Sequence, residues 1–255
     1  MLEYVLLGVA LVVFLASWYT PIPYGRFSNS GGVLKSFDWL PNIPNRWFIG
    51  LANIPTIIFL GIHIPDISNF GLVVFIFLLV HFVFRAFIVP VVTGFIYHTD
   101  DKECSVLVLI PFMAYNGLAG YILGFMCTNL NDLFFMWPDL PLLVGAFCAL
   151  FLNVYYDIRI NWMRCHDENA KIQSMYVTYR SIEKDFPLLF WLNITSPNYF
   201  FEVIEWGFVV ILTWHTESLC YFIATWLILW VRALSINCWL ENQQDEFDKK
   251  TISTG

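Results

Sequence analysis

Seven apolar stretches leave this chain little choice of architecture. They fall at about Met1–Tyr19, Trp47–Ile64, Gly71–Tyr97, Cys104–Cys127, Leu140–Asp157, Asn198–Trp214 and Ser218–Trp239. A hydrocarbon core about 30 Å thick is crossed by roughly 20 helical residues. Inside lipid, every backbone polar group has to find its partner within the segment, which a helix achieves and a lone strand does not. The expected fold is therefore all-α and integral to the membrane, with a single seven-helix domain over 1–240 and a polar acidic tail at 241–255. The sixth stretch is short, and the third is long enough to tilt or to kink at Pro90. Composition agrees: 58% of residues are hydrophobic and 13% are charged, against roughly 25% charged in soluble domains.

The basic residues set an orientation. Arg26, Lys35 and Arg46 lie in the first loop, Lys102 in the third, and Arg159, Arg164, Lys171, Arg180 and Lys184 in the fifth. Arg232, Lys249 and Lys250 lie at the C-terminal end, and only Arg85 falls within a span. The positive-inside rule then places the C-terminus on the cytoplasmic or matrix side and the N-terminus opposite. The first span is too long, and too poor in preceding basic residues, for a cleaved signal peptide, so a retained anchor is expected. Six cysteines occur singly with no C-x-x-C pair, which points to free buried thiols. The net charge of −7 draws on Glu241, Asp245, Glu246 and Asp248. It argues against nucleic acid and leaves membrane lipids as the expected surroundings.

Metal chemistry finds little support. None of the five histidines pairs with another at three- or four-residue spacing, so clustered histidine boxes cannot be assembled. Cys165-His166-Asp167-Glu168 is the densest ligand group, but it has no second half. No metal is expected, and no phosphate-cradling glycine loop or nucleophile elbow is present.

Three constellations carry more. Ser196 and Pro197 suit an N-cap and a first helical position, after which Asn198, Glu202 and Glu205 share one face. Acids entering an apolar segment are a functional-site hypothesis, although the same residues also suit a helix end at headgroup level. Asn153 and Asp157, at i and i+4 with Arg159 and Arg164 beyond, suit a ribose and phosphates. They equally suit an ordinary helix end with Asp157 paired to one of those arginines. Arg85, in His81-Phe-Val-Phe-Arg85, needs a buried partner, and Glu202, Glu205 and Asp157 are the candidates.

The order of these pieces resembles the steroid 5α-reductase family, membrane reductases of steroids and related lipids that use NADPH. The matching stretches run from about residue 20 to 240: Pro23-Tyr24-Gly25-Arg26-Phe27, His81-Phe-x-Phe-Arg85-x-Phe87, Asn116-Gly117, Leu152-Asn153-x-x-x-Asp157 and Asn198-Tyr199-Phe200-x-Glu202-x-x-Glu205-Trp206. The last is close to the family's Asn-Tyr-Phe-Gly-Glu-Ile-x-Glu-Trp. The resemblance implies that Asn153, Asp157, Asn198 and Glu202 match cofactor-binding residues and that Arg85 is a retained basic one. It further implies an enone carbonyl polarised by a glutamate in the second helix and a tyrosine in the third while hydride adds to the β-carbon.

Both polarising groups are replaced here, by Asn53 and Phe82. The family's closing His-rich and Tyr-Pro motifs give way, after Arg232-Ala233, to Leu-Ser-Ile-Asn-Cys-Trp-Leu-Glu-Asn, and Phe186-Pro187-Leu188-Leu189 stands where paired glycines belong. The expectation from these losses is a non-catalytic member with no cofactor. It would be retained as an accessory subunit among other membrane proteins, with the mitochondrial inner membrane as the setting. The alternative is an active NADPH-dependent reductase of a lipid enone, either a 3-oxo-steroid or an enoyl thioester. Its donors would be rearranged among Asn53, Tyr115 and Tyr199, and the family's endoplasmic reticulum would be its location.

Overall fold

Long apolar runs with few breaks give helices, and the computed structural model, which describes residues 1–19, 42–96, 103–130, 139–166 and 196–253, is built from them. In chain order they are α1 (Leu2–Tyr19), α2 (Asn45–Gly61), α3 (Asn69–Val83), α4 (Val106–Asn129), α5 (Asp139–His166), α6 (Pro197–Thr213) and α7 (Thr216–Ser253). Among the described residues, four helical stretches are long and apolar enough to cross a membrane: Asn69–Gly94, Val106–Asn129, Asp139–Ile160 and Thr216–Cys238. Two shorter apolar helical stretches lie at Leu2–Leu15 and Trp47–Gly61. The protein is an all-α integral membrane protein. Its outer surface shows Val5, Val9, Ile58, Ile76, Ile110 and Phe151, side chains that lipid tails accept without cost.

Two helix pairs form the bundle. On one side α2 lies along α4, and on the other α5 lies along α6, which also meets α7; α1 packs on α7. The α2–α4 seam is close because small residues line it. A Cβ on Gly120 would lie 2.4 Å from the Thr56 carbonyl oxygen. Thr56 Oγ1 donates to the Asn116 carbonyl at 2.9 Å, and Asn116 Nδ2 donates to the Ala52 carbonyl at 2.8 Å. Such small-residue seams with side-chain-to-backbone bonds are how helices associate where no hydrophobic gain is left between them.

The expected kink at Pro90 takes a definite form. α3 continues through a π turn (Phe84–Ile88), a short α turn (Val89–Val91) and a second π turn (Val92–Ile96). Proline has no amide to give the carbonyl four residues earlier, which is that of Ala86. Gly50 of α2 lies against that same carbonyl, where a Cβ would sit 2.7 Å from the oxygen. The wider turn re-aims the side chains it contains, and Arg85 is one of them.

Several boundaries differ from expectation. α5 runs on to His166 instead of ending near Asp157, and α7 carries the polar segment after Trp239 as continuous helix. A small antiparallel pair was not foreseen: Asn42–Pro44 bonds to Glu103–Ser105, with Ile43 opposite Cys104. The Pro23–Phe27 motif, Phe186–Leu189 and the rest of the long fifth loop from 167 to 195 lie outside the described residues. Ser196 stands at the N-cap of α6 as expected, but its side chain makes no capping bond; only its carbonyl accepts, from the Phe200 amide at 3.1 Å.

Candidate functional site

Each charged or amide side chain in the apolar interior has a reason to find another, because an unpaired charge there is expensive. Arg85, swung by the π turn, reaches α5 and α6 together. Its Nη1 donates to Asp157 Oδ2 at 2.9 Å, and its Nη2 donates to a carboxylate oxygen of Glu202 and to Asn153 Oδ1 at 3.3 Å. Asn198 Nδ2, one helical turn before Glu202, donates to the other Asp157 oxygen at 2.7 Å. Arg85, Asn153, Asp157, Asn198 and Glu202, scattered over more than a hundred positions, therefore meet in one buried network. Of the three candidate partners for Arg85, Asp157 and Glu202 hold it directly.

The third acid goes elsewhere. Glu205 Oε1 lies 2.5 Å from His81 Nδ1, with both side chains at most 3% exposed. Asn153 links this pair to the arginine network. Its amide accepts from Arg85, and its nitrogen reaches Glu205 Oε2 at 3.4 Å in one orientation or the Asn198 carbonyl at 3.2 Å in the flipped one. Around His81 sits an aromatic collar: the ring of Phe82 at 4.9 Å and that of Trp206 at 5.0 Å, with Tyr221 4.4 Å beyond Trp206.

Among the described residues, the buried Trp206 Nε1 and, in the same core, the buried Tyr115 hydroxyl have no hydrogen-bond partner. Tyr115 is one helical turn before the fully buried Ala119 on α4, and it packs on the same core cluster as Phe82, Trp206 and Tyr221. The Ser196 hydroxyl, at the start of α6 two residues before Asn198, is also buried without a partner among the described residues.

The two replaced positions are now visible. Asn53 turns its amide back on its own helix, donating from Nδ2 to the Ile49 carbonyl at 2.8 Å. Phe82 is 1% exposed and fills space in the aromatic collar. Tyr199 lies under the guanidinium of Arg232, 5.2 Å from its ring centre. Arg159 donates to the Tyr155 hydroxyl at 2.7 Å. The His81–Glu205 contact is the feature that sequence reading missed. The sequence offers Glu205 as a candidate partner for Arg85, and nothing in the local pattern of His81 assigns the acid to it.

A membrane helix bundle with an arginine–carboxylate–amide centre at its core is thus defined. The chain belongs to the family described as 3-oxo-5-alpha-steroid 4-dehydrogenase, whose model matches residues 102–251. It is similar to the steroid 5-alpha-reductase DET2 of Gossypium hirsutum, with 26% identity over 259 aligned positions that cover 94% of this chain and 90% of the relative.

Proposed function

We propose that this chain is an NADPH-dependent reductase of a lipid enone, a 3-oxo-steroid or an enoyl thioester, working from within the bilayer. The observation that carries this reading is the convergence of Arg85, Asn153, Asp157, Asn198 and Glu202 on one buried centre. Replacing buried ionic groups with well-packed apolar ones is often neutral or stabilising, so a purely structural role gives no reason for such a centre.

The residues fit one end of the cofactor better than the other. Amides and carboxylates suit a carboxamide and ribose hydroxyls, and the unpartnered Ser196 hydroxyl adds a further bond at the start of α6. With two acids to one arginine, the centre repels phosphates, which would sit instead toward Arg159 and Arg232. Bound there, NADPH supplies a hydride. Arg85 and the two asparagines orient it, and the Phe82–Trp206 collar excludes water. Seven spans with the C-terminus on the cytoplasmic side, in the endoplasmic reticulum, complete this reading.

A second reading rests on Asn53 and Phe82. Neither presents an acidic donor, and α7 runs straight through the segment where the family's closing motifs would stand. These features suit a non-catalytic accessory subunit of a larger membrane complex, such as a mitochondrial respiratory or ATP-synthase assembly, surrounded by lipid and other subunits. NADPH oxidation by the purified protein with a 3-oxo-4-ene steroid and with a long-chain enoyl thioester separates the two. Turnover that falls on Glu202→Gln supports the reductase, whereas no NADPH binding and no turnover with either lipid leaves the subunit reading.

A further inference from the structure

Glu202, Glu205 and Asp157 face a single guanidinium, that of Arg85, and a single imidazole, that of His81. Were all five ionised, the cluster would still carry one excess negative charge. With a neutral imidazole the excess is two. Uncompensated charge in a low-dielectric interior is removed by retaining a proton. Within this cluster the closest approach between two titratable groups not involving Arg85 is His81 Nδ1 to Glu205 Oε1, at 2.5 Å, a hydrogen bond through which the two side chains share one hydrogen. Other charged or titratable groups around this pair are Arg85 in the π turn after α3, Asp157 on α5, Glu202 and Tyr199 on α6, and Tyr221 on α7 beyond the Trp206 ring; Tyr221 lies within electrostatic reach of Arg85, Glu202 and Tyr115.

A second observation points to an occupant beside the pair. Trp206 Nε1 and, in the same core, the Tyr115 hydroxyl, which lies within electrostatic reach of the Tyr221 that meets Trp206, have no hydrogen-bond partner among the described residues. Trp206 is 1% exposed and its ring centre is 5.0 Å from that of His81. Buried donors left open cost about 1–3 kcal/mol each, and a carbonyl oxygen is the group that would satisfy them.

We propose that the His81–Glu205 pair is the proton source of the reduction, taking over the task that Asn53 and Phe82 cannot perform, while Trp206 and Tyr115 hold the substrate's carbonyl oxygen. This rests on the reductase reading above. The β-carbon of the enone accepts hydride from the reduced nicotinamide, and the π electrons of the C=C bond move through the conjugated system onto the carbonyl oxygen. His81 is held at Nδ1 by Glu205 and passes a proton from Nε2 to that oxygen. The enol then tautomerises to the saturated carbonyl. The pair regains its proton from water on the basic side of the membrane, so one hydride and one proton are consumed per turnover.

The test uses the full chain in lipid nanodiscs. Infrared difference spectra of the protein alone, across a pH titration, are expected to show a carboxyl–imidazole signal that disappears in Glu205→Gln and in His81→Gln and persists in Glu202→Gln. With NADPH and a 3-oxo-4-ene steroid, Glu205→Gln is expected to lower kcat on the order of 10²-fold, in the range of general acid catalysis. The KM for NADPH should stay within about twofold, and the solvent deuterium isotope effect on kcat should rise. A Glu205→Gln variant that turns over at the parent rate, or whose spectrum keeps the signal, overturns the assignment while the reductase reading stands. Absence of turnover by the parent protein overturns both.

Discussion

Arg85 donates to Asp157 Oδ2 at 2.9 Å across 72 positions of sequence, and the same guanidinium holds Glu202. The arginine neutralises acids from two helices at once. Changing it to Met strands carboxylates in the interior, and breaking a buried pair of this kind costs about 3–5 kcal/mol. Arg85→Met is therefore expected to lower the thermal midpoint of the protein in detergent sharply. Asp157→Asn should restore part of it in the double variant, because the two sites are coupled. Additive effects would count against the network.

Asn153 and Asn198 supply the amides of the proposed nicotinamide end. Removing one such hydrogen bond is worth about 1 kcal/mol, or roughly fivefold in affinity. Titration of NADPH fluorescence should show Asn153→Ala and Asn198→Ala binding on the order of five- to tenfold more weakly. An affinity untouched by both changes places the cofactor elsewhere.

Phe82 offers a sharper discriminator. Phe82→Tyr restores a hydroxyl at a position that is 1% exposed and ringed by His81 and Trp206. If His81 and Glu205 already deliver the proton, the new hydroxyl should leave kcat within about threefold and cost about 1–3 kcal/mol of stability as an unsatisfied buried group. Activity that emerges only in Phe82→Tyr would show that the parent chain lacks a donor.

The α2–α4 seam should tolerate no added bulk at Gly120. A Cβ there falls 2.7 Å from the Thr56 Cα, a backbone atom that cannot step aside. Gly120→Val is expected to destabilise by about 2–4 kcal/mol, read as faster thermal inactivation, whereas the same change at Gly8, which meets nothing within 4 Å, should be close to neutral.

The turn between α6 and α7 holds Trp214 at φ 51°, a left-handed conformation that costs a side chain with a Cβ about 1–2 kcal/mol. Trp214 is 84% exposed, so little packing offsets that cost. Trp214→Asn, a residue that tolerates this region, should raise the thermal midpoint slightly. An unchanged or lower value would mean that the indole anchors the turn at the membrane surface.

Much of the bundle could be read in advance because the length of an apolar run and the cost of an unsatisfied backbone leave only helices. The grouping of the polar residues is legible for a related reason: Asn153 with Asp157, and Asn198 with Glu202, sit one turn apart, and local spacing reports a shared face. The extension of α5 to His166 was not legible, since residues 158–166 are polar enough to pass for loop. The π turns were hidden too, because Pro90 announces a kink without saying which side chain it will redirect. His81 and Glu205 meet across 124 positions, and no local period encodes such a contact.

α7 spans 38 residues, or about 57 Å at 1.5 Å per residue, nearly twice the thickness of the oily slab it starts in. Its far end is a mast: a reporter fused beyond Ser253 would stand well clear of the headgroups, and its height above them would measure how upright the whole bundle is held.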